Sequence, residues 1–124
     1  MKVYKLDEYS HEITLLDIKD DIETYYKLLQ CDCIDVATFS CRESDFRIVA
    51  IVDDVGAYNR LPVCTYDVGI GYLYGTAIFA RHYYNSSEFS DIEPEDLKII
   101  QRCMITKVSL SLGEWAMALE EMEK

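Results

Sequence analysis

The segment 46–52, Phe-Arg-Ile-Val-Ala-Ile-Val, is an almost continuous apolar run of strand length, and it constrains the fold more than any other feature of the chain. A second run, 72–80, contains Thr76, Ile78 and Phe79 and predicts a strand near the centre of a sheet, with Gly75 marking a bulge or a close backbone contact. Residues 33–39 are rich in Ile, Val, Thr and Phe and predict a third strand, joined to 46–52 by a tight turn at 42–45. Alternation at 1–6 and again at 12–16, separated by the polar turn Asp7-Glu8-Tyr9-Ser10, predicts an N-terminal hairpin.

Helical spacing appears between these strands. Asp20 or Asp21 can cap a helix that carries Ile22, Tyr25, Tyr26, Leu28 and Leu29 on its apolar face and runs to about Gln30. Ser90-Asp91-Ile92-Glu93-Pro94 combines a capping residue, acidic first-turn residues and a proline where a helix tolerates one. The helix that follows runs to about Met104, with Leu97, Ile100 and Met104 on its buried side. Residues 105–110 form a short strand or a linker. Ser111 and Glu114 then open a third helix whose stripe of Trp115, Ala118, Leu119 and Met122 packs on the sheet or serves as a dimer face. Asp53-Asp54-Val55-Gly56 ends the 46–52 strand. The stretch through Asn59, Arg60, Leu61 and Pro62 is an irregular surface loop, and 82–87 is a polar loop. The expectation is a single α+β domain over 1–124: a small, mostly antiparallel sheet of four to six strands with two to three helices, including a C-terminal amphipathic helix.

Charge restricts the partners. Twenty-three acidic against twelve basic side chains leave a net charge of -11, which repels a phosphate backbone or an anionic membrane surface and suits a basic groove on another protein. The bland account of the same charge is solubility. The opening Met-Lys-Val-Tyr-Lys-Leu is not a secretory leader, and the apolar stretch 69–80 is broken by glycines and tyrosines, so a cytoplasmic protein is expected. Cys31, Cys33, Cys41, Cys64 and Cys103 then read as free thiols, and neither His11 nor His82 stands at a zinc-ligand interval from a cysteine pair.

No catalytic motif is visible. The glycines at 69, 71 and 75 precede a strand, whereas a phosphate-cradling loop opens a helix, and there is no serine elbow or nucleotide fingerprint. No enzyme, cofactor or metal is expected. Acidic residues cluster at Asp17, Asp20, Asp21 and Glu23, at Asp53 and Asp54, and at Glu88, Asp91, Glu93, Glu95 and Asp96. Two of these clusters stand where they complement a helix dipole. Tyr58, Tyr66, Tyr72, Tyr74, Tyr83 and Tyr84 gather in the middle of the chain, either as a binding surface or as the cover of one sheet face. Candidate partner-contacting residues are Asp53, Asp54, Tyr58, Tyr83, Tyr84, Glu88, Asp91, Glu95 and Asp96. Candidate self-association residues are Trp115, Leu119 and Met122.

The order of pieces also resembles a known family. Ile34-Asp35-Val36, the run from Ile48 into Asp53-Asp54-Val55-Gly56, Asn59-Arg60-Leu61-Pro62, Tyr74-Gly75-Thr76-Ala77-Ile78, and Phe89-Ser90-Asp91-Ile92-Glu93-Pro94-Glu95-Asp96 are similar to small proteins of phages and conjugative elements catalogued as the domain of unknown function three-eight-four-six. The resemblance covers roughly residues 1 to 102 and implies no activity. It implies a setting, mobile-element genes, where small acidic proteins often block host restriction or CRISPR systems. The expected function is therefore a phage or mobile-element interaction protein, an acidic DNA mimic that inhibits a host defence nuclease by stoichiometric binding to its basic nucleic-acid groove. Two alternatives stand beside it: a module sequestering a nucleotide signal, with Arg60 or Arg81 facing a phosphate, and a non-enzymatic accessory or assembly subunit using the third helix as a homodimer face.

Overall fold

In a computed structural model, which describes residues 1–10, 12–42, 45–56, 61, 63–67 and 71–106, the 46–52 run becomes β4, Phe46–Asp53, and its composition follows from its place. β1 (Lys2–Leu6), β2 (Ile13–Asp17), β3 (Ile34–Arg42), β4 and β7 (Ala77–Tyr83) form a five-stranded sheet in the order β2-β1-β7-β4-β3, antiparallel throughout. β4 and β7 are inner strands covered on both faces, so both of their side-chain sets are apolar. Ile48, Ala50, Val52 and Phe79 point into one core with Tyr4, Leu6 and Ala77. Val49, Ile51, Ile78 and Ala80 point into the other with Val3.

Helix α1, Ile22–Leu29, covers the second core through Tyr25 and Leu29, one turn apart on one face. Asp21 is its N-cap and accepts the Thr24 N–H at 2.8 Å; Gln30 ends it in the left-handed conformation, φ 53°. Ile22, expected on the apolar face, is exposed instead, because it is the first helical residue and the buried stripe starts three positions later. The Tyr25 hydroxyl donates to the Asp20 carboxylate; burial first, and that neighbour second, push the phenol pKa well up.

Helix α2, Asp96–Cys103, covers the first core with Ile100, joined by Leu97, Ile99 and the preceding Ile92. Its cap differs from the expected one. Ser90 pairs with Arg81 across an isolated bridge, and the Asp96 carboxylate reaches back to the Glu93 N–H at 2.8 Å, directly ahead of Pro94. Met104 does not extend this helix but opens β8, Met104–Thr106.

Three further differences concern strands. The single strand expected over 72–80 is two: β6, Gly71–Tyr74, belongs to a three-stranded sheet β6-β5-β8, and the chain changes sheets at Gly75, whose φ of +78° is open to glycine and costly for other residues. β5, Val63–Asp67, lies beyond the irregular loop, where no strand was expected. β7 runs through His82 and Tyr83, which were placed in a loop. The third helix with Trp115, Leu119 and Met122, as well as Tyr58 and His11, lie outside the described residues. Among those described, no helix is long and apolar enough to cross a membrane.

Candidate functional site: an acidic groove at one end of the sheet

Antiparallel register decides which loops meet. Leu6 pairs with Ala77, Ile51 with Ile78, and Ile34 with Asp53, so the end of β1, the start of β7, the end of β4 and the start of β3 share one end of the sheet. That end collects the turn after β1, the α1–β3 connection and the turn after β4.

Three cavities run along it and share residues. The first, about 390 Å³, is lined by Tyr26, Gln30, Cys31, Asp32, Cys33, Asp53 and Val55. Asp53 joins it to a second, about 210 Å³, where Asp35 and Asp54 meet Tyr72 and Tyr74. Gln30 joins it to a third, about 150 Å³, lined by Lys5, Asp7, Glu8, Tyr9, Leu28, Leu29 and Thr76. Among the described residues the linings hold six carboxylates, Asp7, Glu8, Asp32, Asp35, Asp53 and Asp54, against a single lysine, Lys5. Each cavity also carries one exposed large apolar side chain: Val55, Tyr72 and Tyr9 respectively.

Some of these carboxylates have local duties. Asp7 accepts the Tyr9 and Ser10 N–H groups at 2.9 Å each, which lowers its pKa, the Ser10 bond most. Asp53 accepts the Val55 N–H at 3.0 Å and Asp35 the Val36 N–H at 2.9 Å. Glu8 behaves differently: its Oε2 is shielded from solvent without a hydrogen-bond partner among the described residues, and burial first, then Asp7 and Asp53, raise its pKa. Burial and Asp53 likewise raise the Cys31 thiol, which keeps it protonated and a poor nucleophile. Among the described residues no three His, Cys, Asp or Glu side chains stand close enough to share a metal ion.

The sequence-predicted contact residues do not form one surface. Asp53 and Asp54 lie in the groove. Tyr83 ends β7 at its other end, Tyr84 and Glu88 follow it there, and Asp91 accepts the Lys2 N–H at 2.9 Å, also at that opposite end. Asp96 must be withdrawn as a contact residue: it is wholly buried, and its carboxylate receives Arg81 Nε at 2.6 Å and Nη2 at 2.8 Å. For the same reason Arg81 cannot face a phosphate. It also donates to the Tyr83 hydroxyl at 3.0 Å and to Glu95 at 3.1 Å, and it stacks 3.9 Å over the Phe46 ring. These bonds, those to Asp96 foremost, hold its pKa above the ordinary value. His82 is similarly engaged, accepting from Arg47 Nε at 2.9 Å while its other ring nitrogen lies 2.8 Å from the Ser86 carbonyl. Sequence reasoning missed Glu8, Tyr9, Asp32 and Asp35, which become neighbours of Asp53 only through the register.

A family model described as a domain of unknown function, DUF3846, matches residues 1–105, and the chain belongs to this family. No curated protein and no solved structure matches it.

Proposed function

Taking DUF3846 membership as the premise, we propose that the protein is a non-enzymatic binding protein whose acidic groove docks on a basic, nucleic-acid-binding surface of another protein and blocks it stoichiometrically. The observation that carries this reading is the lining, among the described residues, of six carboxylates against one lysine, continuous over three adjoining cavities. Carboxylates so arranged occupy Lys/Arg sites that otherwise hold phosphates, and the long-range field of an eleven-fold negative chain speeds encounter. Val55, Tyr72 and Tyr9 give the groove exposed apolar side chains for the desolvated centre of such a contact, where aromatic residues are enriched. The partner class we favour is a defence nuclease of a cell that hosts mobile elements, and the compartment is the cytoplasm.

Affinity capture from cells carrying restriction and CRISPR systems, at low and at high salt, tests the reading. A nucleic-acid-binding protein should be retained at low salt, leave at high salt, and be lost with the Asp53→Lys/Asp54→Lys variant. Retention unaffected by salt and by that variant would overturn the proposal.

A further inference from the structure

The five-stranded sheet ends in β3 on one side and β2 on the other, and the two edges are finished differently. At β3 the Asp54 N–H donates to the Cys33 carbonyl at 3.1 Å. Asp35 and Ala37 therefore bond inward to Val52 and Ala50, while Ile34, Val36 and Thr38 direct their N–H and C=O groups away from the sheet. This edge is blunted: the Asp35 carboxylate covers the outward Val36 N–H at 2.9 Å, and the register slips between Thr38 and Arg42. β2 has neither protection. Asp7 N–H donates to the Glu12 carbonyl and Ile18 N–H to that of Met1, so Thr14 and Leu16 bond inward to Lys5 and Val3. Ile13, Leu15 and Asp17 are left facing outward, and among the described residues no hydrogen bond meets their backbone groups. The strand, Ile-Thr-Leu-Leu-Asp, runs without bulge, proline or lysine, and Leu15 at its centre is 50% exposed.

We propose that β2 pairs antiparallel with β2 of a second copy of this chain about a two-fold axis at Leu15, joining the two sheets into one. The occupant follows from the sequence of the edge, which is complementary to itself. A two-fold at Leu15 sets Leu15 against Leu15, Ile13 against Asp17, and Thr14 against Leu16, so every outward N–H meets an outward C=O. Leu15 stands opposite Tyr4 in β1, on the face of the first core, and Ile13 packs on that core. The Leu15 pair thus extends an existing apolar surface across the axis. Charge fits the same register. The strand's only charge, Asp17, faces Ile13, and Glu12 just before it faces Ile18, so no like charges stand opposite although each copy carries -11. The axis also sends the two acidic grooves to opposite ends of the joined sheet, which makes the dimer bivalent. A contact through one strand edge falls below about 1,200 Å², the range of weak, reversible association.

Sedimentation velocity over about 10 to about 500 μM should show a reversible monomer–dimer equilibrium. It should tighten as salt rises from ~0.05 to ~0.5 M, because screening lowers the repulsion between two copies of charge -11. Groove binding responds to salt in the opposite direction, so the two readings fail separately. Amide hydrogen exchange reads the register. Ile13, Leu15 and Asp17 should exchange at least ~3-fold more slowly at the highest concentration than at the lowest, while Thr14 and Leu16, already bonded to β1, change less. Leu15→Lys sets two ammonium groups against each other at the axis and should raise the dissociation constant at least ~10-fold. Exchange is measured on the unaltered chain, so the register test stands whatever that variant does to folding. A monomer at every concentration and salt would overturn the proposal. So would a dimer whose slowed amides lie outside β2, the third helix included, or one equally tight in Leu15→Lys.

Discussion

Replacing Asp96 by alanine is the most severe test of how this domain is held together. Asp96 is 0% exposed and Arg81 8%, and the two make a bidentate pair at 2.6 and 2.8 Å that ties the first turn of α2 to the central strand β7. Asp96→Ala strands the buried guanidinium and also frees the Glu93 N–H that the carboxylate caps. Removing one partner of a buried pair costs about 3–5 kcal/mol. With an unfolding entropy of about 2.1 cal/mol/K per residue over 124 residues, a loss of about 4 kcal/mol lowers Tm by about 15 °C. At a slope of ~2 kcal/mol/M, it lowers the urea midpoint by about 2 M. The double variant Arg81→Met/Asp96→Leu, which removes both charges, should recover much of this loss, because a buried ion pair gains little over a well-packed apolar pair. Glu95→Gln should cost under ~1 kcal/mol, since Glu95 is 77% exposed and its bond to Arg81 is a surface bond. Asp96→Ala within about 1 kcal/mol of wild type by urea denaturation would refute the argument, by showing that Tyr83 and Glu95 suffice to hold Arg81.

Two further predictions concern the sheet switch and the groove. Gly75→Ala should lower stability by about 1–2 kcal/mol, since a side chain at φ +78° is disfavoured and its Cβ would stand 2.9 Å from Leu61 Cδ1; wild-type stability in a thermal melt would mean that the chain does not turn there between two sheets. Glu8→Gln should remove one component of the pH dependence of folding. A raised carboxyl pKa means that the folded state holds the proton more tightly, so this group's contribution is favourable at low pH and is lost as pH rises from the ordinary glutamate range near ~4.3 through the raised folded value. The stability of Glu8→Gln relative to wild type should therefore increase between pH 4 and pH 7 in urea titrations; a difference independent of pH would rule out a perturbed Glu8.

Elements with local signals were legible in the sequence. Alternation marked β1 and β2, a cap at Asp20 or Asp21 marked the start of α1, and the apolar run marked β4, because each depends on neighbours within a few positions. β5 was not legible, since Val63–Asp67 is short and carries no long apolar period to set it apart from the preceding loop. The break at Gly75 was visible as a glycine in an apolar run, but bulge, close contact and sheet switch share that signature, and only the positive φ separates them. Asp96 looked like any acidic residue in a first helical turn; its partner Arg81 is fifteen positions away on another element, at no spacing that a periodic pattern encodes.

The groove carries the same lesson with a consequence for function. Asp7, Asp35 and Asp53 each have a reason to be where they are that involves only the next one to three residues, because each accepts a backbone N–H in its own turn or strand. Asp32 and Asp54 accept no hydrogen bond from the described chain, and Glu8 Oε2 accepts none while buried. Gathering those three with their neighbours at one end of the sheet raises mutual repulsion, visible in the way Asp7 and Asp53 push Glu8 upward. Folding alone does not call for that repulsion. A cationic partner would relieve it, so the carboxylates without a local duty, Glu8, Asp32 and Asp54, are the ones whose neutralisation should leave the fold intact or more stable while weakening a basic ligand. That opposition between stability and binding distinguishes a docking groove from a merely soluble surface, where the same substitutions would change neither.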